Sequence, residues 1–235
     1  MTNVPLPAGD PLFQNAFRVV RTLREAGFEA WIVGGAVRDL VLGAIPHEYD
    51  IATSALPASV QALFRRTVPV GAQFGVVRVL IGDFEFEVAT FREDGGYSDG
   101  RRPDSVRFAR VREDVLRRDF TMNGMLLDPG TGEVVDLVGG LADIAERRIR
   151  AIGDPSVRFE EDRLRPLRAV RFAARTGFAI DEATFQAIRT SASEVVRVSR
   201  ERLLDELTKL LGTPRPGLGF RLLDGAGILA AVLPD

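Results

Sequence analysis

The chain has 235 residues, of which 46% are hydrophobic and 27% charged, and its formal net charge is −2. That composition is typical of a protein that folds around an apolar core. Cysteine is absent and His47 is the single histidine, which excludes disulfides, thiolate nucleophiles and cysteine-ligated zinc and all but excludes a histidine-dependent triad. Any metal ion must therefore be held by carboxylates, and oxygen ligands favour Mg²⁺ or Mn²⁺.

The sequence predicts neither a membrane segment nor export. It contains no apolar run of about 18 residues, and its first residues lack the basic start and apolar core of a signal peptide. We therefore expect a cytoplasmic protein without membrane contact. Lys209 is the only lysine, so nearly all of the positive charge is arginine, whose planar guanidinium suits phosphates and base edges.

The first half of the chain alternates predicted helices and strands. Apolar residues at helical spacing predict a helix over 11–26, which Gly27 ends. Strands are predicted at 31–33, 49–53, 76–80 and 84–91, with helices at 36–42 and after Pro57. Glycine, proline and charged residues over 92–110 predict a long loop.

The second half of the chain is predicted to be almost entirely helical. Beyond a turn at Asp154-Pro155 the predicted helices cover 157–176, with Gly177 as the C-cap, then 181–190, 199–211 and 216–226. We place a domain boundary near residue 150. The fold class is therefore α+β, with a mixed antiparallel sheet and helices over 1–150 and an all-helical part over 151–235.

The main chemical signal is a glycine pair followed by two acids. A strand that runs into Gly34-Gly35 and then a helix forms an anion site by geometry and dipole, and Arg38 can reach the same anion. Glu48 and Asp50 lie two residues apart on a predicted strand, so their side chains share one face. Close carboxylates repel unless a cation lies between them. Divalent ions held there can activate a hydroxyl and stabilise a leaving pyrophosphate.

This pattern resembles a known signature. An apolar residue, two glycines, twelve residues and then acid-x-acid-apolar is similar to the signature of the DNA polymerase β-like nucleotidyltransferase superfamily. In that superfamily a neighbouring strand supplies a third carboxylate. The segment FEFEV offers Glu85 and Glu87; we favour Glu87, since Glu85 fits a plain solvent-facing residue.

Further motifs narrow the resemblance. GGAVRDLVLG, EYDIAT, GAQFGVVRV, EVATFR, RRDFTMNGM, EEDRLRPLRAVRFAARTGF and SRERLLDEL occur in the order typical of class II tRNA nucleotidyltransferases, the bacterial and eukaryotic-type CCA-adding enzymes. The resemblance implies a polymerase β-like head over 1–150, then a helical neck and the truncated start of a body domain over 151–235. It also implies metal-dependent transfer of CMP and AMP from CTP and ATP to the 3′ end of tRNA, and it leaves the oligomeric state open.

The resemblance also implies roles for single residues. We expect Gly34, Gly35 and Arg38 to contact the triphosphate. Glu48 and Asp50 are expected to hold the metal ions, with Glu87 as a third catalytic acid. Arg118 and Asp119 are expected to contact the phosphates and the ribose 2′-hydroxyl. An acid next to an arginine can accept the proton of a ribose hydroxyl, and a structural salt bridge is the alternative for that pair.

The segment EEDRLRPLRAVRF resembles the family's amino-acid template for the incoming base. Glu161, Asp162 and Arg165 are expected one helical turn apart on one side. Cytosine and adenine both carry an exocyclic amine beside an unprotonated ring nitrogen, so Asp162 can accept from the amine while Arg165 donates to the nitrogen. Uracil and guanine would leave both groups unpaired, at about 1–3 kcal/mol each. Arg168 and Arg171 continue the stripe and, by resemblance, help to bind the triphosphate.

Two residues depart from the family's pattern. Glu48 stands where aspartate is usual, and its extra methylene moves the carboxylate by roughly 1 Å, which can cost about a hundredfold in rate. Pro166 lies inside the template helix, which predicts a kink or a helix that starts near Asp162. The loop 92–105 corresponds to the family's flexible loop, and its full length favours complete CCA or terminal A addition.

Several alternative functions stay open at this point. CC-only or A-only addition to tRNA uses the same machinery. Bacterial poly(A) polymerase shares the fold, although GAQFGVV and EDRLR favour the CCA-adding branch. Glu48 also motivates a catalytically weakened RNA- or nucleotide-binding relic. A metal-dependent hydrolase would leave the template arginines without a role.

Overall fold

The structure is a computed structural model that describes residues 2–71, 74–96 and 105–233. The chain divides into two units. The first contains most residues up to Leu141, and the second contains Asp119–Thr121 and the described residues from Ala142 onward. The sequence-based boundary near residue 150 stays a prediction, and the predicted loop segment 97–104 lies outside the described residues.

The first unit is built around one large sheet. The strands of the chain's first part are β1 (Thr2–Asn3), β2 (Ala30–Val33), β3 (Asp50–Thr53), β4 (Thr67–Gly71), β5 (Val76–Ile81), β6 (Phe84–Thr90), β7 (Arg92–Asp94), β8 (Val106–Phe108), β9 (Met125–Leu127) and β10 (Glu133–Asp136). The helices are α1 (Pro11–Glu25), α2 (Gly35–Val41), α3 (Pro57–Leu63), α4 (Val111–Leu116) and α5 (Gly140–Ala145). The sheet has eight strands in the order β1-β10-β9-β2-β3-β6-β5-β4, and β7 pairs with β8.

Local sequence signals account for these elements. Helix α1 starts at Pro11, and the Asp10 side chain accepts a hydrogen bond from the Leu12 amide at 3.0 Å, which caps the helix. In β6 the side chains alternate, with Phe86 and Val88 buried and Glu85 and Glu87 exposed. One face of β6 therefore meets the apolar core and the other meets solvent, as the alternation predicts.

The sheet register brings the glycine pair and the acids to one place. Val33 pairs with Asp50 in antiparallel β2 and β3, and Ile51 pairs with Val88 in parallel β3 and β6. Asp50 is therefore the neighbour of Glu87 on the same face. The strand predicted at 49–53 begins only at Asp50, so Glu48 lies in the segment that leads into β3, and a shared face of Glu48 and Asp50 stays a prediction.

The second unit is mainly helical. It contains β11 (Arg148–Ile149), α6 (Pro155–Glu161), α7 (Arg165–Thr176), β12 (Ala179–Ile180), α8 (Glu182–Thr190), α9 (Arg200–Leu211), α10 (Pro216–Gly225) and α11 (Ile228–Val232). The predicted α+β class with a helical second part is confirmed. Throughout the described ranges, none of the helices is long and apolar enough to cross a bilayer.

The predicted single helix over 157–176 is wrong, because the chain leaves the helical conformation at Asp162. Asp162 has φ −139° and ψ 105°, and the next helix begins at Arg165. Pro166 lies in the first turn of α7, where the missing N–H has no intrahelical partner to lose. Gly177 ends α7 with φ +73°, which confirms the predicted C-cap.

Candidate active site

The glycine turn packs directly against charged side chains. Gly34 has φ +74°, a backbone conformation that residues other than glycine rarely adopt. A Cβ atom on Gly34 would lie 3.6 Å from Nη1 of Arg118 and 3.7 Å from Oδ2 of Asp50. A Cβ on Gly35 would lie 3.4 Å from Nη2 of Arg38. The turn therefore presents bare backbone beside one acid and two arginines.

Arg38 is buried beneath this turn. The residue is 2% exposed, and its Nη1 donates to Oδ1 of Asn123 at 2.8 Å. Nε and Nη2 both donate to Oδ1 of Asp39, at 2.9 and 2.8 Å. Arg38 thus supports the turn from the protein side; its contact with a triphosphate stays a prediction.

The carboxylate of Asp50 lies among other acids. Burial, followed by the charges of Glu48 and Glu87, raises the pKa of Asp50 to about 6, while Arg118 opposes them. Glu87 is exposed and lies 3.7 Å from Nη2 of Arg78. Because Glu87 and not Glu85 is the register neighbour of Asp50, the placement favours Glu87 as the third acid.

The acids form a pair with a flanking carboxylate rather than a closed metal cage. Within residues 2–71, 74–96 and 105–233, no group of three or more acidic or histidine side chains is spaced to hold a metal ion. Mg²⁺ commonly takes only one or two protein carboxylates and completes its shell with water and substrate phosphates. Glu48 and Asp50 therefore stay the predicted metal ligands.

Asp114 fixes the orientation of Arg118. Asp114 is 1% exposed, accepts from Nη2 of Arg118 at 3.0 Å and accepts from Nη2 of Arg117 at 2.6 Å. Burial alone would raise the pKa of Asp114, but the two arginines hold that pKa below its usual value. Asp114 carries no role predicted from the sequence, although its spacing of four residues from Arg118 on a helical segment is a usable signal.

In the second unit, Asp119 is paired with Arg168. Oδ2 of Asp119 accepts from Nε and Nη2 of Arg168 at 3.0 and 2.7 Å, and Oδ1 accepts from the Phe120 amide at 2.8 Å. Glu206, which the sequence analysis missed, accepts from Nε of Arg171 at 2.6 Å and lies 3.9 Å from Nη1 of Arg168. Burial lowers the pKa of Arg168, but Asp119, Glu206 and a further acid outweigh it and raise that pKa above its usual value.

The side chains of Arg165 and Asp162, the residues predicted to read the base, bind different partners. Nη1 of Arg165 donates to Oε2 of Glu161 at 2.6 Å and to the Arg158 carbonyl at 2.8 Å. Both carboxylate oxygens of Asp162 lie within 3.0 Å of Nη2 of Arg202. The prediction that Asp162 and Arg165 lie one turn apart in one helix is wrong, because Asp162 lies in the break between α6 and α7. Arg202 belongs to the SRERLLDEL segment, which is one of the motifs that carry the family resemblance, so the sequence already marked the segment that contains it.

Comparison with known proteins places this site in a family. Residues 30–150 match the family described as "Poly A polymerase head domain", and residues 177–235 match the family described as "Probable RNA and SrmB- binding site of polymerase A". The chain belongs to the poly A polymerase head domain family. The predicted family and the predicted head fold are thereby confirmed.

Relatives of this poly A polymerase head domain chain include CCA-adding enzymes. The CCA-adding enzyme of Streptococcus uberis is 46% identical over 209 residues, which cover 88% of this chain and 52% of the relative. The crystal structure of the Bacillus stearothermophilus CCA-adding enzyme in complex with CTP is 42% identical, with a TM-score of 0.86 over 93% of this chain and 53% of that chain. The Thermotoga maritima CCA-adding enzyme complexed with tRNA is 26% identical, with a TM-score of 0.81 over 100% and 57%. The chain spans about half the length of these relatives.

Proposed function

We propose that this chain carries the catalytic part of a CCA-adding tRNA nucleotidyltransferase. It adds CMP and AMP from CTP and ATP to the 3′ end of tRNA in the cytoplasm, with Mg²⁺ or Mn²⁺ as the metal. The observation that carries the proposal is the Gly34 turn, whose bare backbone lies beside the Asp50 carboxylate and Arg118. A triphosphate and a divalent cation are the ligands that these groups would hold together.

The donor set fits a hard divalent cation. Asp50 is partly buried, and the charges of Glu48 and Glu87 raise its pKa. A cation would offset the repulsion among these carboxylates. Glu48 and Asp50 would hold that ion, with Glu87 beside them. When bound, the ion lowers the pKa of a hydroxyl nucleophile and offsets the charge of the leaving pyrophosphate.

Further residues bind and orient the nucleotide. Arg118, held by Asp114, donates to phosphate oxygens from a fixed position, which avoids reorganisation during the reaction. Asp119 accepts from Arg168 and can also accept a hydrogen bond from the ribose 2′-hydroxyl, since a carboxylate has about four acceptor positions. Arg168 and Arg171 add positive charge for the triphosphate, and Glu206 fixes both of them.

Base selection follows from the fixed template pair. Asp162 is held by Arg202, and Arg165 is held by Glu161, so neither side chain can turn freely to suit a wrong base. Cytosine and adenine present an amine to the acid and a ring nitrogen to the arginine. Uracil and guanine present a carbonyl and an N–H instead, which leaves buried polar groups unpaired.

Incorporation of labelled CTP, ATP, UTP and GTP into tRNA transcripts tests this proposal. The transcripts lack the three terminal nucleotides, lack only the terminal adenosine, or are complete, and each is tried with Mg²⁺ and with Mn²⁺. CTP addition to the first, ATP addition to the second and no addition to the third is the expected result. Asp50→Asn serves as the inactive control.

Other outcomes identify other functions. Addition at only one step would mean a CC-adding or A-adding specialist, and long adenosine tails would mean a poly(A) polymerase, which the family description names. Silence with both metals that Glu48→Asp relieves would mean that Glu48 disables the site. Silence that persists in Glu48→Asp would refute the proposal.

A further inference from the structure

Asn123 is a buried polar residue to which none of the roles above is given. It ends the short 3-10 turn Thr121–Asn123 and is 7% exposed. Its Oδ1 accepts a hydrogen bond from Nη1 of Arg38 at 2.8 Å, although the two residues are 85 positions apart. A charged guanidinium that is 2% exposed needs acceptors on its edges, because an unpaired buried donor costs more than the bond itself contributes.

The guanidinium of Arg38 is in contact with the glycine turn. A Cβ on Gly35 would lie 3.4 Å from Nη2 and 3.9 Å from both Cζ and Nη1 of Arg38. Asp39 accepts from Nε and Nη2, whereas Asn123 accepts from Nη1, so the plane of the group is fixed at two edges. Loss of either acceptor would allow the group to rotate against the backbone of the turn.

The chemistry of Asn123 suits this position. Asp39 already balances the charge of Arg38, so a second acid would make the support of a turn that receives a polyanion net negative. An amide oxygen satisfies the donor without adding charge.

We propose that Asn123 is a positioning residue for the triphosphate of the nucleotide. It holds Arg38 beneath the turn formed by Gly34 and Gly35, and the fixed guanidinium keeps that backbone in its binding conformation. The inference rests on the proposed function in one respect, which is that this turn holds the triphosphate.

Calorimetric binding of CTP in the presence of Mg²⁺ tests the proposal without requiring turnover. We expect Asn123→Leu to weaken CTP binding roughly 10- to 100-fold, which is the range for a hydrogen bond to a charged group, and to leave tRNA binding within about twofold. Thr121→Val is the matched control: it lies in the same short turn and also loses a buried side-chain bond, from its hydroxyl to Asp143 at 2.6 Å. Asn123→Ala replaces the leucine variant if the latter does not fold, which the fluorescence of Trp31 reports.

A double variant tests whether Asn123 acts through Arg38. In an Arg38→Met background, Asn123→Leu should cause no further loss of CTP affinity. Unchanged CTP binding in both Asn123 variants, an equal loss in Thr121→Val, or additive losses in the double variant would overturn the inference alone. Absence of CTP binding by the unaltered chain would refute the proposed function and this inference with it.

Discussion

Two neighbouring acids on α9 differ in burial, and this difference sets how much each contributes to stability. Glu206 is 3% exposed and accepts from Nε of Arg171 at 2.6 Å. Asp205, the preceding residue, has an exposed side chain and pairs with Lys209 at 2.6 Å one helical turn away. Glu206→Gln and Asp205→Asn each remove one negative charge and keep the side-chain shape, so they form a matched pair of perturbations.

The expected magnitudes follow from the burial of each pair. Breaking a buried ion pair by removing one partner costs about 3–5 kcal/mol, because the other charge stays buried and unpaired. Glutamine keeps one acceptor oxygen for Arg171, so we expect Glu206→Gln to lower the free energy of unfolding by about 2–3 kcal/mol. An exposed pair four residues apart on a helix contributes only about 0.3–0.5 kcal/mol, which is the loss expected for Asp205→Asn.

Urea unfolding measures both values. Far-ultraviolet circular dichroism follows the helices, most of which lie in the second unit, whereas Trp31, the only tryptophan, reports on the first unit. We expect the dichroism transition of Glu206→Gln to move to lower urea and that of Asp205→Asn to stay near the parent. Equal shifts for the two variants would refute the reasoning that the buried Glu206–Arg171 pair contributes more to stability than the exposed Asp205–Lys209 pair.

Four further predictions concern the site itself. Asp50→Asn should abolish incorporation and yet stabilise the metal-free first unit by about 2–3 kcal/mol at neutral pH, because burial and two neighbouring carboxylates raise the pKa of Asp50 to about 6. The parent chain loses this amount of stability as the pH rises from about 4 to about 6. Urea unfolding followed by tryptophan fluorescence measures the difference, and a less stable variant would contradict the prediction. The arginine partners of Asp114 hold its pKa below the usual value despite burial. Its contribution to the free energy of unfolding is therefore complete above about pH 4 and is lost as the pH falls through the lowered pKa. Asp114→Asn should make the free energy of unfolding fall less steeply with acid in the same titration. Arg165→Ala should relax nucleotide choice in a four-nucleotide competition more than it slows CTP addition, and unchanged selection would show that the template assignment is wrong. Glu48→Asp should raise the Mg²⁺-dependent rate, by up to about a hundredfold, and an unchanged single-turnover rate would show that the segment before β3 already compensates for the longer side chain.

Features that depend on short stretches of sequence could be predicted from the sequence. The β5–β6 hairpin follows from alternating apolar residues around a glycine turn, and Gly177 ends α7 because its φ of +73° is costly for other residues. The Gly34-Gly35 turn can also be predicted from a short stretch, because a strand runs into the two glycines and a helix follows them. The start of β3 was placed one residue too early, because an apolar aromatic residue at position 49 extends the pattern although the ladder begins only at Asp50.

Partners that are distant in sequence could not be predicted in this way. Asp119 and Arg168 are 49 residues apart and Asp162 and Arg202 are 40 residues apart. The chain contains 31 basic and 33 acidic side chains, so charge alone allows many pairings and only tertiary packing selects among them. The family resemblance identified the segments that carry these residues but not which arginine holds which acid.

The break between α6 and α7 has a consequence for base selection. In a continuous helix, Asp162 and Arg165 would lie about one turn apart, and their side chains could pair with each other. The two side chains have different partners: Asp162 is held by Arg202 of α9, and Arg165 is held by Glu161 and a backbone carbonyl of α6. Under the proposed function, each group meets the base from a position that a different helix fixes. Pro166 would remove a backbone hydrogen bond inside one long helix, but it is compatible with this arrangement because it lies in the first turn of α7.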